Sequence, residues 1–342
     1  MKAWLKCCAY LAVALLLVYG LLLAALNAGL GRWLLETAAN RMLFASAGAF
    51  RCRRVVVTPT LRIRLQGVSV QVPLNRQRVD ASVARCESDR SLLVCWGTRR
   101  LMMQMSGGAI KGHNLAIDGI DVRFDGPLPG TATATRPVGY LRIHSLRAGH
   151  LTVNQLEGAV VQEGTRYVVH PLAMQALSGA LRGTLTVELQ PQPRVTLALQ
   201  ASQLALGDLA PFNAAMFQGA RGTLHGTIQI ATDAHGLASF EGAFVADLPG
   251  GTIGPSFLQM LLPYLPRTAE RERLSQAIAR GTLVPFESGS VTVAVVDPQH
   301  IKMVLNMAIP EYNLHVSNAT LDIRLDSPAL LTQCFEFLGT LQ

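Results

Sequence analysis

The sequence predicts a mainly β protein: an N-terminal transmembrane helix followed by a long curved antiparallel sheet, a groove or half-pipe, with a few short helices. Three observations carry this expectation. One long apolar run occupies Cys7 to Gly31. Alternation of apolar and polar residues with a period of two then dominates the chain. Gly, Asn, Asp and Pro interrupt that alternation about every 8–12 residues, the spacing of a meander.

The apolar run comes first. Lys2 and Lys6 precede it, and Asn27 alone breaks it. A helix needs roughly 20 apolar residues to cross a bilayer, and the core of a cleaved signal is about 7–15. The length favours an uncleaved anchor over a cleaved signal, and Asn27 spoils a small-x-small cleavage site. Lys2, Lys6 and the free amino group outweigh Arg32, Glu36 and Arg41 on the other flank. The positive-inside rule then puts the N-terminus in the cytoplasm and the body outside. Arg32 to Phe44 reads as a short amphipathic helix, completing an anchor segment over 1–44.

Next comes a β segment over 45–126. Leu61-Arg62-Ile63-Arg64-Leu65 alternates, as do Val68, Val70 and Val72 with Ser69 and Gln71. Gly107 to Gly112 reads as a turn between strands. Asp118, Asp121 and Asp125 have the spacing of a cation loop, but they alternate with Ile117, Ile120, Val122 and Phe124. The remaining calcium ligands are missing, so polar strand positions are the better reading. Residues 126–137 are rich in breakers and form a loop or boundary.

A second β segment covers 138–342. Glycine-led phrases recur at Gly183, Gly222, Gly226, Gly251 and Gly281, and repeated strand glycines mark bends or close backbone approach. Asp208 to Phe217 reads as a short helix capped by Asp208. An insertion at 255–280 reads as two helices, apolar then charged, broken at Pro263 and Pro266. Ser327 or Pro328 opens a final helix with Leu330, Leu331, Phe335 and Leu338.

Composition narrows the function. Of 342 residues, 50% are hydrophobic, 6% aromatic and 15% charged, against about 25% charged in a typical soluble domain. The mean hydropathy of +0.30 exceeds what the anchor alone supplies, so the body carries more apolar surface than a compact core requires. The net charge of +8 is concentrated: residues 51–100 hold eleven Arg against Asp80, Glu87 and Asp89. Arg51, Arg53, Arg54, Arg62 and Arg64 sit just past the anchor. They read as a solvated strand face or as contacts to anionic headgroups, each worth about 1 kcal/mol near such a surface. Nucleic acid is not expected as a partner: the compartment is wrong, and no aromatic platform interleaves the arginines.

No motif supports catalysis. None of the eight His falls in HExxH or a metal-ligand pair, and there is no GxSxG. No metal or cofactor is expected, and no enzyme. Cys86 and Cys95 flank a short polar segment and suit a hairpin disulfide in an oxidising compartment; with Cys52 and Cys334 present, other pairings stay open. The alternating apolar positions are the candidate functional surface: Leu181, Leu185, Val187, Ile228, Ile230, Val293, Val295, Met303 and Leu305. Each is equally explained as ordinary core.

Four features together resemble the AsmA-like envelope proteins, the group with the TamB and YdbH types. They are the anchor followed at once by strands (Val55-Val56-Val57 and LRIRLQGVSVQV); GHNLAIDGIDVRFDG with its echo LRIHSLRAGHLTVNQLEGAV; ALSGALRGTLTVEL followed by LGDLAPFN and GARGTLHGTIQI; and Gly250-Gly251-Thr252-Ile253, an apolar helix, Pro285-Phe286, paired strands and LDIRLDSP. The resemblance is best over 138–328. It implies a groove with an apolar interior that holds or conducts phospholipid between the membranes of a diderm bacterium. It also implies an inner-membrane anchor, a periplasmic body, an envelope protein partner and a part in outer-membrane homeostasis. The chain is short for an autonomous bridge. The alternative is a structural assembly factor or a secretion-system component of the N type.

Overall fold

The computed structural model describes residues 17–42, 49–74, 77–91, 94, 97–98, 100–112, 115–127, 137–188, 194–212, 214–233, 236–297 and 300–324. Sixteen strands make one antiparallel sheet. They are β1 (Ala49–Val57), β2 (Ile63–Leu74), β3 (Gln77–Ser88), β4 (Arg100–Lys111), β5 (Leu115–Pro127), β6 (Gly139–Ala148), β7 (Leu151–Glu163), β8 (Arg166–Ala176), β9 (Gly179–Glu188), β10 (Arg194–Ala205), β11 (Arg221–Asp233), β12 (Gly236–Ile253), β13 (Val284–Phe286), β14 (Ser288–Asp297), β15 (His300–Ile309) and β16 (Leu314–Arg324). Spatial order follows chain order, except that β13 branches off β12 and the path passes from β12 to β14. β5 pairs with β6, so the segments 45–126 and 138–342 join in one sheet.

The sheet is open, with β1 and β16 as its two ends. Its fourteen steps along the path, at ~4.8 Å each, give a length of about 67 Å. The chain exposes 20356 Å², whereas a compact monomer of 36.8 kDa exposes about 13,600 Å².

Strand alternation slips at regular places. Gly67, Gly107, Gly119, Gln155, Gln203 and Asn318 have φ between +51° and +67°. At each, one residue turned into the left-handed region lets the strand bend without sending its apolar side chains to the other face. Buried Val153 precedes Gln155, and half-buried Leu156 follows it at the other parity. Buried Ala201 precedes Gln203, and Leu204 follows. The Gly107–Gly112 stretch is therefore no turn: Gly107 is a bulge inside β4, and its N–H donates to Asp121 Oδ1 at 3.0 Å.

The anchor and the amphipathic helix form one helix, α1 (Leu17–Arg41). It passes through a π-turn at Leu26–Leu30, where Gly29 has φ +124°, and continues as Gly31–Met42. Its mean hydropathy of 1.4 and its 25 residues are enough to cross a membrane. It also lies along β1. Asn27 accepts from Val57 N–H at 2.8 Å and donates to Val57 O at 3.0 Å. Asn40 treats Phe50 the same way, at 2.7 and 3.1 Å. Glu36 accepts from Cys52 N–H at 2.8 Å.

The expected helix over Asp208–Phe217 divides into a 3-10 turn at Leu206–Leu209 and the short helix α2 (Ala214–Phe217). Asp208 lies inside the turn and accepts from Ser178 Oγ at 2.6 Å, so it caps nothing. The insertion forms α3 (Pro255–Leu261) and α4 (Ala269–Ala279), joined through a 3-10 turn at Leu262–Tyr264. Gly281 closes the end of α4 at φ +71° and leads no strand. Residues 128–136 and the expected final helix at 327–342 lie outside the described residues.

Candidate functional site

Strand register places one apolar row across the whole sheet. It runs Val55, Leu65, Cys86, Met105, Val122, Leu141, Gly158, Leu172, Gly183, Leu199, Ile228, Gly242, Val293, Met303 and Leu321, each paired with the next. No polar side chain interrupts it. Directly opposed residues share a face, so these fifteen define the inner side of the sheet.

All nine apolar candidates fall on this side. Ile228, Val293 and Met303 belong to the row. Leu185, Ile230 and Val295 lie two positions along their strands from it, and Leu181 and Leu305 two positions the other way. Val187 follows Leu185 on the same face, opposite Val195. Sequence alternation identified the members but not the row, because register across bulged strands is set by backbone geometry.

Glycines let the row curl. Gly158 and Gly183 alternate with Leu141, Leu172 and Leu199 along it. A Cβ on Gly183 would stand 1.9 Å from the Ala198 carbonyl oxygen, and one on Gly226 would stand 2.0 Å from that of Ala243. These backbones approach too closely for any side chain.

The inner face is covered differently along its length. Over β2–β6, Leu65, Met105, Val122 and Leu141 are half-buried. Over β7–β10, Leu172 is 1% exposed, and it is buried by neighbours on the sheet itself: Val153, Val169, Met174, Leu181, Leu199 and Leu204 form one cluster. Over β15 and β16, helices do the covering. Phe257, Leu258 and Leu261 of α3 and Leu274 of α4 share a cluster with Met303, Leu305, Met307, Leu314, Val316 and Leu321. The insertion expected at 255–280 therefore forms a helical layer at this end, and Met303 and Leu305 face helices.

The row also meets α1. Leu23, Leu26 and Leu35 pack against Cys52, Val55, Val57 and Val68.

The arginines gather on the outer side of the same strands. Arg54, Gln66 and Arg85 stand opposite one another. With Arg53, Gly67 and Ala84 they line an open concavity of about 780 Å³. Arg53 and Arg54 have no ion-pair partner among the described residues. Arg64 and Arg85 share Glu87, at 2.8 and 2.7 Å. The Arg85 hydrogen bond, then that of Arg64, holds the Glu87 carboxyl below the ordinary carboxylate range. Arg51 and Arg62 are exposed. Arg85 escaped sequence reading because it reaches the site from a different strand.

Cys86 carries a free thiol among the described residues. Its side chain points inward between Leu65 and Met105, and Cys95 lies outside the described residues. Burial, then Glu87 and Cys52, pushes the Cys86 thiol up, which keeps it protonated and unreactive at neutral pH. Among the described residues no group of His, Cys, Asp and Glu is arranged to hold a metal ion.

These features define a class: a long open β-sheet with one continuous apolar face and one apolar N-terminal helix. The chain matches no family model, no characterised protein and no solved structure.

Proposed function

We propose that this is an inner-membrane-anchored protein of the AsmA-like kind, with its body in the periplasm, that binds or transfers phospholipid along its apolar face. The observation that carries the reading is the uninterrupted fifteen-residue row that begins against the apolar helix α1. Its half-buried stretch over β2–β6 takes an apolar partner, and acyl chains reach it from the bilayer without crossing water. Lys2 and Lys6 set the orientation, N-terminus inside. Arg51, Arg53, Arg54 and Arg62, on the outer side beside the anchor, contact anionic headgroups. No step calls for catalysis, a cofactor or a nucleic acid.

Native mass spectrometry with lipid extraction on the full chain, purified from membranes in mild detergent, tests this. Bound phospholipid is expected, and it should be lost in Leu141→Asp and Leu185→Asp variants that keep the wild-type far-UV CD spectrum. A lipid-free, monodisperse wild type would overturn the reading. One observation favours a second reading. Leu172 and its neighbours on β7–β10 bury each other without any ligand, as a structural envelope-assembly or secretion component would require.

A further inference from the structure

We infer that the apolar face is blind-ended: acyl chains enter at its membrane-proximal stretch, β2–β6, and the pair α3–α4 seals the far end. The inference rests on the phospholipid reading above and specifies where on the face that ligand sits.

The topology makes the case. β12 and β14 are antiparallel neighbours, Glu241 opposite Ala294 and Phe244 opposite Val291. Such strands need only a short hairpin to join them. The chain instead inserts α3, α4 and β13 between them, and both helices pack on the inner face. Leu258, Leu261 and Leu274 are fully buried there, in the same cluster as Met303 and Leu305. The helices fill the space that a ligand on β15 and β16 would occupy.

The pair is also tied down. Tyr264 Oη donates to the Thr320 carbonyl on β16. Arg271 Nη1 donates to Leu265 O at 3.2 Å, and Thr268 Oγ1 caps α4 by accepting from Arg271 N–H at 3.4 Å. At the other end, half-buried Met105 and Leu141 share no hydrophobic cluster with a helix residue among the described residues. The apolar row is therefore half-buried at Met105, Val122 and Leu141 on β4–β6 and buried at Met303 and Leu321 on β15 and β16.

The test uses the full chain in detergent and a phospholipid carrying a photoactivatable diazirine near the end of one acyl chain. Adducts are mapped by mass spectrometry. Peptides holding Leu65, Met105 and Leu141 should be labelled, and those holding Met303, Leu305 and Leu321 at least tenfold less. A Phe257→Ala, Leu258→Ala double variant should bring labelling onto Met303 and Leu305. Amide exchange serves as the control, faster over 255–279 and unchanged over β2–β6. Labelling of Met303 and Leu305 in the wild type at the level of Leu141 would overturn the seal. So would helices loosened by that control with no new labelling behind them. No adduct anywhere on the sheet would instead overturn the phospholipid reading, and the seal with it.

Discussion

Asn27 and Asn40 each do with one side chain what a neighbouring strand would do with its backbone. Their amides bond both the N–H and the C=O of Val57 and of Phe50. Asn27→Ala strands a donor and an acceptor in a part-buried position, at a cost of about 1–3 kcal/mol; chemical denaturation of the detergent-solubilised chain measures it. Asn27 looked like a flaw in an apolar span when read from the sequence. Its partner lies thirty positions away, and no local pattern announces it.

Two glycines give a contrast at the same scale. Gly183→Ala drives a methyl into the Ala198 carbonyl and should cost about 3 kcal/mol or more, since neither backbone can withdraw without breaking the ladder. At Gly281, φ is +71° and the space is open, so Ala should cost only the left-handed strain, about 1–2 kcal/mol. Thermal unfolding ranks the two. Charge gives a third case. Glu87 ties up Arg64 and Arg85, and its lowered carboxyl keeps that pairing intact as pH falls through the usual carboxylate range. The pairing is lost only as pH falls through the depressed folded value. Glu87→Gln should therefore strengthen co-flotation with anionic vesicles at neutral pH, and unchanged binding would remove these arginines from the headgroup role.

At the scale of elements, hydrophobic pattern did most of the predicting. Alternation located the strands around Leu61–Leu65, Val68–Val72 and Val291–Val295, and Pro263 and Pro266 divided the insertion into two helices. Failures fell where the chain breaks period two. Gly107 and Gly108 were read as a turn because glycine pairs mark turns as readily as bulges, and the deciding hydrogen bond comes from Asp121 on the next strand. The packing of α3 and α4 was also hidden. An apolar helix announces that it will be covered but not by what. Leu258→Ala or Leu274→Ala, both fully enclosed, should each destabilise the C-terminal end by about 2–5 kcal/mol. Amide exchange should locate that loss in β15 and β16, leaving β2–β6 unchanged.

Considered whole, the molecule is a ribbon one sheet thick between the helices at its two ends, and each strand leans chiefly on the two beside it. Its candidate site was half legible: the apolar membership is in the sequence, while the row that aligns it is in the register. Stability in such a chain is nearest-neighbour in character. The clamp on β1 gives that ribbon a fixed beginning. A bare edge strand is a template for any passing chain, and here α1 occupies it before the second strand exists. Because the strands pair in chain order, the sheet can be laid down in order, each hairpin using the last as its surface. Low sequence separation of contacts favours quick local folding. The sheet thus grows outward from α1 with one exposed edge at a time, and that helix serves as the first template of its own fold.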